Sequence, residues 1–112
     1  KARAFAERIR RDLEGKYVVA YGAAAKGNTL LNFVGLRPQM IIDDNSLKQG
    51  RFSPGVRSPV VPSSALETLP DHPVTFVPLA WNFFDEIKAK ILTKRDREDD
   101  EFYNLKSIIS SI

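Results

Sequence analysis

The sequence contains no cysteine, and it has a single histidine and a single methionine among its 112 residues. Without cysteine there is no disulfide, no thiolate metal ligand and no cysteine nucleophile. The one histidine, His72, lies between Asp71 and Pro73 in a predicted turn, so we expect it to face solvent without a catalytic role. No apolar run approaches the roughly 20 residues of a membrane span, and no signal-peptide pattern opens the chain. We therefore expect a cytoplasmic protein with no membrane contact.

The charges are many but dispersed. There are 17 lysine and arginine residues against 14 acidic ones, which gives a net charge of +3. Because the two signs are interleaved, the pattern does not favour a nucleic-acid partner. Hydrophobic residues make up 43% of the chain and charged residues 28%, close to globular averages. The length predicts one domain over residues 1–112. Since the first residue is Lys1 rather than methionine, the chain is either processed or cut from a longer one, and we expect the second.

Helical and extended patterns alternate along the chain. Apolar residues at helical spacing or helix-start signals predict helices over Lys1–Glu14, Asn28–Val34, Ser63–Leu69 and Phe83–Leu92, with Gly27 or Asn28 capping the second and Ser63 the third. Short β-rich runs predict strands over Tyr17–Tyr21, Met40–Ile42, Val60–Val61 and Val74–Val77, with a last strand around Ile108–Ile109. The charged run Lys94–Glu101 is interpreted as a solvated loop. Alternating units of this kind predict an α/β fold, a three-layer Rossmann-like domain with a mostly parallel sheet.

Three polar or glycine-rich segments follow predicted strands: Gly22–Asn28, Asp43–Gly50 and Ala80–Asn82. In parallel sheets the carboxyl ends of the strands meet at one edge, and ligands bind there. The sequence therefore predicts a ligand site assembled from these three segments.

The glycine turn Gly22-Ala23-Ala24-Ala25-Lys26-Gly27 joins a strand to a helix. Its small residues allow a ligand to approach the backbone, and a helix N-terminus favours an anion. A P-loop requires lysine where this chain has Asn28, and the dinucleotide fingerprint requires glycine where it has Ala24. The turn therefore predicts a nucleotide-type ligand, unless its small residues serve only close packing.

The other two segments each allow two interpretations. Asp43 and Asp44 lie about 20 residues beyond the glycine turn, where Rossmann proteins place an acid that binds ribose. Aspartates at a strand end also commonly stabilise a turn. Trp81 and Asn82 are suited to stack on and hydrogen-bond a base or sugar; alternatively, Trp81 is a core residue and Asn82 caps the next helix.

These motifs, in this order, resemble the C-terminal domain of SAM-dependent C-methyltransferases, a family that includes enzymes acting on nucleotide-linked deoxysugars. The resemblance covers roughly Phe5–Leu92 and rests on Tyr21–Asn32, Asp43–Gly50, Ser53–Gly55 and Leu79–Phe83.

The resemblance implies a three-part enzyme with an upstream zinc-binding region, a central domain that binds S-adenosylmethionine (SAM), and this domain facing the active site. The absent cysteines agree with zinc ligands upstream, and we expect no cofactor in this chain. The nucleotide-sugar would lie against three walls, which are Gly22, Ala23, Ala24, Lys26, Gly27 and Asn28; Asp44, Asn45, Lys48 and Gln49; and Trp81 with Asn82. The upstream SAM-binding domain would be the intramolecular partner.

The chain has few candidates for catalysis. It has no nucleophile elbow and no cluster of metal ligands, so we expect the isolated domain to be inactive. Two other readings stay open: a non-catalytic nucleotide-binding regulatory module, and a fragment of an NAD-dependent oxidoreductase. The degraded glycine fingerprint disfavours the second of these.

Overall fold

The computed structural model describes residues 2–22, 25–45, 49–52, 55 and 57–111. The predicted site residues Ala23, Ala24 and Lys48 lie outside the described residues. Lys26 and Asn28 are described by their backbone alone, as are residues 2, 25 and 109–111.

In these described ranges, five short strands and four α-helices follow one another along the chain. The strands are β1 (Val18–Tyr21), β2 (Met40–Ile42), β3 (Val60–Val61), β4 (Thr75–Pro78) and β5 (Glu101–Phe102). The helices are α1 (Ala2–Leu13), α2 (Ala25–Val34), α3 (Phe84–Leu92) and α4 (Leu105–Ser111), and two 3-10 helices span Ser63–Thr68 and Trp81–Phe83.

The strands form one sheet in the order β3-β2-β1-β4-β5, and every neighbouring pair is parallel. The chain therefore has the predicted α/β, Rossmann-like architecture, with a sheet that is parallel throughout. From β1 the chain crosses to β2 on one side, whereas from β4 it crosses to β5 on the other. The carboxyl ends of β1 and β4 thus form the topological switch point, where open parallel sheets bind ligands.

Both faces of the sheet are covered. In β1, Val18 and Ala20 belong to one core cluster, which α1, α2 and α4 complete, whereas Val19 belongs to a second cluster shared with α3 and the 3-10 helix Ser63–Thr68. Successive strand side chains point to opposite faces, so a strand covered on both sides reads as an unbroken apolar run. This is why β1 and β2 are recognisable in the sequence.

Helix α2 begins at Ala25, three residues before the predicted start at Asn28. The prediction that Gly27 or Asn28 caps this helix is therefore wrong, since both lie inside it. Ala25 and Lys26, the first two residues of α2, both favour helix, and this preference outweighs the local cost of Gly27.

Ser63 also fails as the predicted cap. Pro62 occupies the cap position of the 3-10 helix and makes no side-chain cap bond. The backbone N–H of Ser63 instead donates to Oδ1 of Asp44, at 3.0 Å. The acceptor for this helix start thus comes from the end of β2 rather than from the local sequence.

The C-terminal part differs most from the prediction. Residues Leu105–Ser111 form α4, so the strand expected around Ile108–Ile109 is wrong, and the fifth strand is Glu101–Phe102. Ile108 is buried in the first core cluster, where helical packing overrides the strand preference of two adjacent isoleucines. The interpretation of Lys94–Glu101 as a solvated loop is wrong in part, because the side chains of Arg95 and Asp100 are only 8% and 2% exposed.

Candidate functional site

A cleft of about 210 Å³ opens at the switch point. Its lining residues come from the end of β1, the first turns of α2 and the segment after β4, and they are Gly22, Gly27, Leu79, Ala80, Trp81, Asn82 and Phe83. Drug-sized ligand pockets hold roughly 300–1,000 Å³, so this cleft is large enough for part of a nucleotide but not for a whole nucleotide-sugar.

Gly22 makes the turn that opens the cleft. Its φ angle is +97°, a region that side chains with a Cβ rarely adopt, so glycine is required here. Its N–H donates to the carbonyl of Ile42 at 2.7 Å, which ties the end of β1 to the end of β2. After this turn the chain leaves the sheet and continues toward α2.

Gly27 brings α2 close to β4. A Cβ added at Gly27 would lie 2.8 Å from Cδ1 and 2.9 Å from Cβ of Leu79, closer than carbon atoms can approach. The absence of a side chain therefore sets the separation of the helix and the strand, as the third glycine of a dinucleotide-binding turn does. This supports packing as one role of the glycine turn, and it also shapes the wall of the cleft.

The segment after β4 forms the opposite wall. The N–H of Leu79 donates to the carbonyl of Tyr21 at 3.0 Å, and the N–H of Phe83 donates to the carbonyl of Ala80 at 2.9 Å. Trp81 is half-buried and packs against the first core cluster while still lining the cleft. Asn82 is exposed, and the cap position of α3 belongs to Phe83, so the reading of Asn82 as a helix cap is wrong.

The aspartates at the end of β2 are engaged in local structure. Oδ1 of Asp43 accepts from the N–H of Asn45 at 2.8 Å, and the carbonyl of Asp43 accepts from Nε2 of Gln49 at 3.0 Å. Hydrogen bonds from the backbone N–H and the hydroxyl of Ser63 lower the pKa of Asp44, and the charges of Lys90 and Lys94 add to this effect. The residues that line the cleft do not include the predicted site residues Asp44, Asn45 and Gln49.

Tyr21 ends β1 next to these aspartates. Partial burial raises the pKa of its hydroxyl, and the negative charges of Asp44 and Asp43 raise it further. The hydroxyl consequently stays protonated and able to donate a hydrogen bond at neutral pH.

The structure thus brings four predicted site residues, Gly22, Gly27, Trp81 and Asn82, around one cleft. Sequence reasoning missed Phe83 as a site residue because it assigned that residue to the helix. The spacing gave no signal, because Phe83 lies four residues before Ile87 and therefore fits the apolar face of a helix.

Metal and membrane sites are not evident in the described part of the chain. No group of three or more His, Cys, Asp or Glu residues there is arranged to hold a metal ion. Nor does any helix in the same ranges have the length and apolar character needed to span a bilayer.

An all-parallel sheet with a glycine-bordered cleft at its switch point defines a Rossmann-like domain. The family model of the C-methyltransferase C-terminal domain matches residues 1–102, and the chain therefore belongs to that family. It is also 42% identical over 78 residues to C-methyltransferase NovU of Streptomyces niveus. That alignment covers 66% of this chain but only 18% of the relative, so the chain corresponds to a small part of a much longer enzyme.

Proposed function

We propose that this domain forms the nucleotide-sugar side of a SAM-dependent C-methyltransferase and has no catalytic activity alone. The observation that supports this most directly is the cleft at the switch point, which is bordered by the glycine turn on one side and by Leu79–Phe83 on the other. SAM and the acid-base groups would belong to an upstream domain that faces this cleft. We assign no SAM contact to the residues of this chain.

The phosphates would lie at the start of α2. The N-terminal N–H groups of an α-helix lack partners within the helix and carry its positive dipole end, so they attract anions. Lys26 is the second residue of α2, and Gly22 gives the backbone an open approach to this point. Asn28 follows on the same turn, and the proposed site also includes Ala23, Ala24 and Lys48.

Binding can be tested by titrating the ¹⁵N-labelled protein with TDP-glucose, SAM and NAD in separate experiments. We expect amide shifts at Gly22–Thr29 and Leu79–Phe83 with TDP-glucose and none with SAM. Shifts with NAD alone would favour the oxidoreductase, and binding of TDP without methyl transfer by the full-length protein would favour a regulatory module.

Lys26→Ala tests the phosphate position. If Lys26 contacts a phosphate, its removal should weaken TDP-glucose binding by about 1.5–3 kcal/mol, the value of a hydrogen bond to a charged group. Lys16→Ala is the matched control, because Lys16 pairs with Glu101 at the opposite edge of the sheet. Unchanged affinity in a folded Lys26→Ala protein would remove Lys26 from the site.

A further inference from the structure

Three phenylalanines are exposed among the described residues. Phe33 is 52% exposed, Phe52 is 61% exposed and Phe83 is 60% exposed. Phe83 alone of these lines the cleft. An aromatic ring that is open to solvent inside a ligand cleft offers a face on which a planar group can stack.

The backbone holds Phe83 in place although its ring is exposed. The preceding Trp81 is anchored against the core, and the N–H of Phe83 closes the turn onto the carbonyl of Ala80. The next helix begins at Phe84 and buries Ile87 in the second core cluster. The ring is therefore presented from a position fixed on both sides, so little backbone ordering is needed when a ligand binds.

Asn82 adds a polar edge beside this ring. Its side chain is exposed and lines the cleft, and the structure shows no hydrogen bond to it from any described residue. A side-chain amide carries a donor and an acceptor side by side, which matches the edge of a nucleobase with adjacent N–H and carbonyl groups. An aromatic face next to an amide edge is the combination that proteins use to bind an unpaired base.

We infer that Phe83 is the stacking surface for the base of the bound nucleotide and that Asn82 hydrogen-bonds the edge of that base. This inference rests on the proposed function and places the base beside β4 rather than beside β2. The hydrogen bond from the Ser63 N–H to Asp44 agrees with this placement of the base. That bond already occupies the carboxylate with which a Rossmann fold would otherwise bind ribose. Trp81, which the sequence suggested as a stacking residue, instead anchors this segment against the first core cluster.

Calorimetric titration of the full-length protein with TDP, inorganic pyrophosphate and TDP-glucose tests this assignment. For Phe83→Ala we expect TDP affinity to fall about tenfold or more, the effect of losing one base–aromatic stack, while pyrophosphate affinity stays the same. Phe83→Tyr should keep TDP affinity, because it retains the ring. Phe33→Ala and Phe52→Ala, which remove equally exposed rings away from the cleft, should leave both affinities unchanged.

Several outcomes would overturn the inference. Unchanged TDP affinity in Phe83→Ala, or an equal loss for TDP and pyrophosphate, would show that Phe83 does not stack on the base. A loss for TDP-glucose without a loss for TDP would place the ring against the sugar instead. If the wild-type protein binds neither TDP nor TDP-glucose, the proposed function fails and this inference fails with it, whereas the other outcomes leave the proposed function intact.

Discussion

The two ends of the parallel strands differ in construction. We call the end where the strands begin the amino edge of the sheet and the end where they finish the carboxyl edge. At the amino edge, the guanidinium of Arg95 binds Asp100 through Nε–Oδ2 at 2.8 Å and donates to the carbonyls of Pro70 at 3.0 Å and His72 at 2.8 Å. Oδ1 of Asp100 in turn accepts from the N–H of Val74 at 2.9 Å. At the carboxyl edge the cleft is bordered by glycines, apolar side chains and an exposed amide.

This difference separates stability from binding. The Arg95–Asp100 pair, with both side chains nearly excluded from water, fixes the loops that lead into β4 and β5. With the strands fixed at one end, the cleft at the other end can keep the side chains of Asn82 and Phe83 exposed. Mutations at the amino edge should therefore alter the free energy of unfolding, whereas mutations in the cleft should alter ligand affinity.

The largest effect is expected from Asp100→Ala. This change leaves the guanidinium of Arg95 buried without its carboxylate and removes the acceptor of the Val74 N–H. Breaking a buried pair from one side costs about 3–5 kcal/mol. Urea unfolding followed by circular dichroism would measure the loss as a lower midpoint.

Arg97→Ala is the matched control in the same loop. Arg97 pairs with Asp99 and Asp71, but these partners are exposed, at 50% and 98% of their side-chain surface. Exposed pairs contribute little to stability because water screens them, so we expect an almost unchanged midpoint. Equal midpoints for Asp100→Ala and Arg97→Ala would contradict the assignment of stability to the buried pair.

Gly27→Ala should have an intermediate effect and should act on both properties. The new methyl group would collide with Leu79, so α2 must move away from β4. Overpacking of this kind costs about 1–3 kcal/mol, and the shift would also distort the cleft and weaken TDP binding.

A double-mutant cycle isolates this collision. In a Leu79→Gly background none of the Leu79 side-chain atoms that the methyl group would meet is present, so adding Gly27→Ala should cost less than it does in the wild-type protein. The unfolding free energies of the four proteins would give the coupling. An equal cost in both backgrounds would assign the effect of Gly27→Ala to something other than contact with Leu79.

The parts of the fold that local patterns specify were predictable. Helix α1 buries Ala6, Ile9 and Leu13 at helical spacing, and β1 and β2 are short apolar runs ended by glycine or aspartate. Because both strands belong to a parallel sheet, the sequence also indicated which loops share an edge. This was enough to place Gly22, Gly27, Trp81 and Asn82 near one another.

The parts that depend on distant contacts were not predictable. Strand β5 is only two residues long, and it exists because Phe102 pairs in register with Phe76. In a run of charged residues, nothing local distinguishes the buried Arg95 from the exposed Arg97. Likewise, the bond from Ser63 to Asp44 spans 19 residues, so the sequence around Ser63 does not reveal its acceptor.

Among the changes expected to destabilise the fold, Asp44→Ala should have the smallest effect, and it tests whether the carboxyl edge has a stabilising carboxylate of its own. Loss of the acceptor for the Ser63 N–H should cost about 0.5–2 kcal/mol, the value of a helix cap, and less than Asp100→Ala. Because folding lowers the pKa of Asp44, its contribution is complete above the ordinary pKa of aspartate and disappears as the pH falls through the lowered value. Urea midpoints of wild type and Asp44→Ala should therefore converge in acid, while those of wild type and the exposed control Asp96→Ala should coincide at every pH. A difference between wild type and Asp44→Ala that persists unchanged in acid would mean that Asp44 stabilises the fold by packing rather than by its charge.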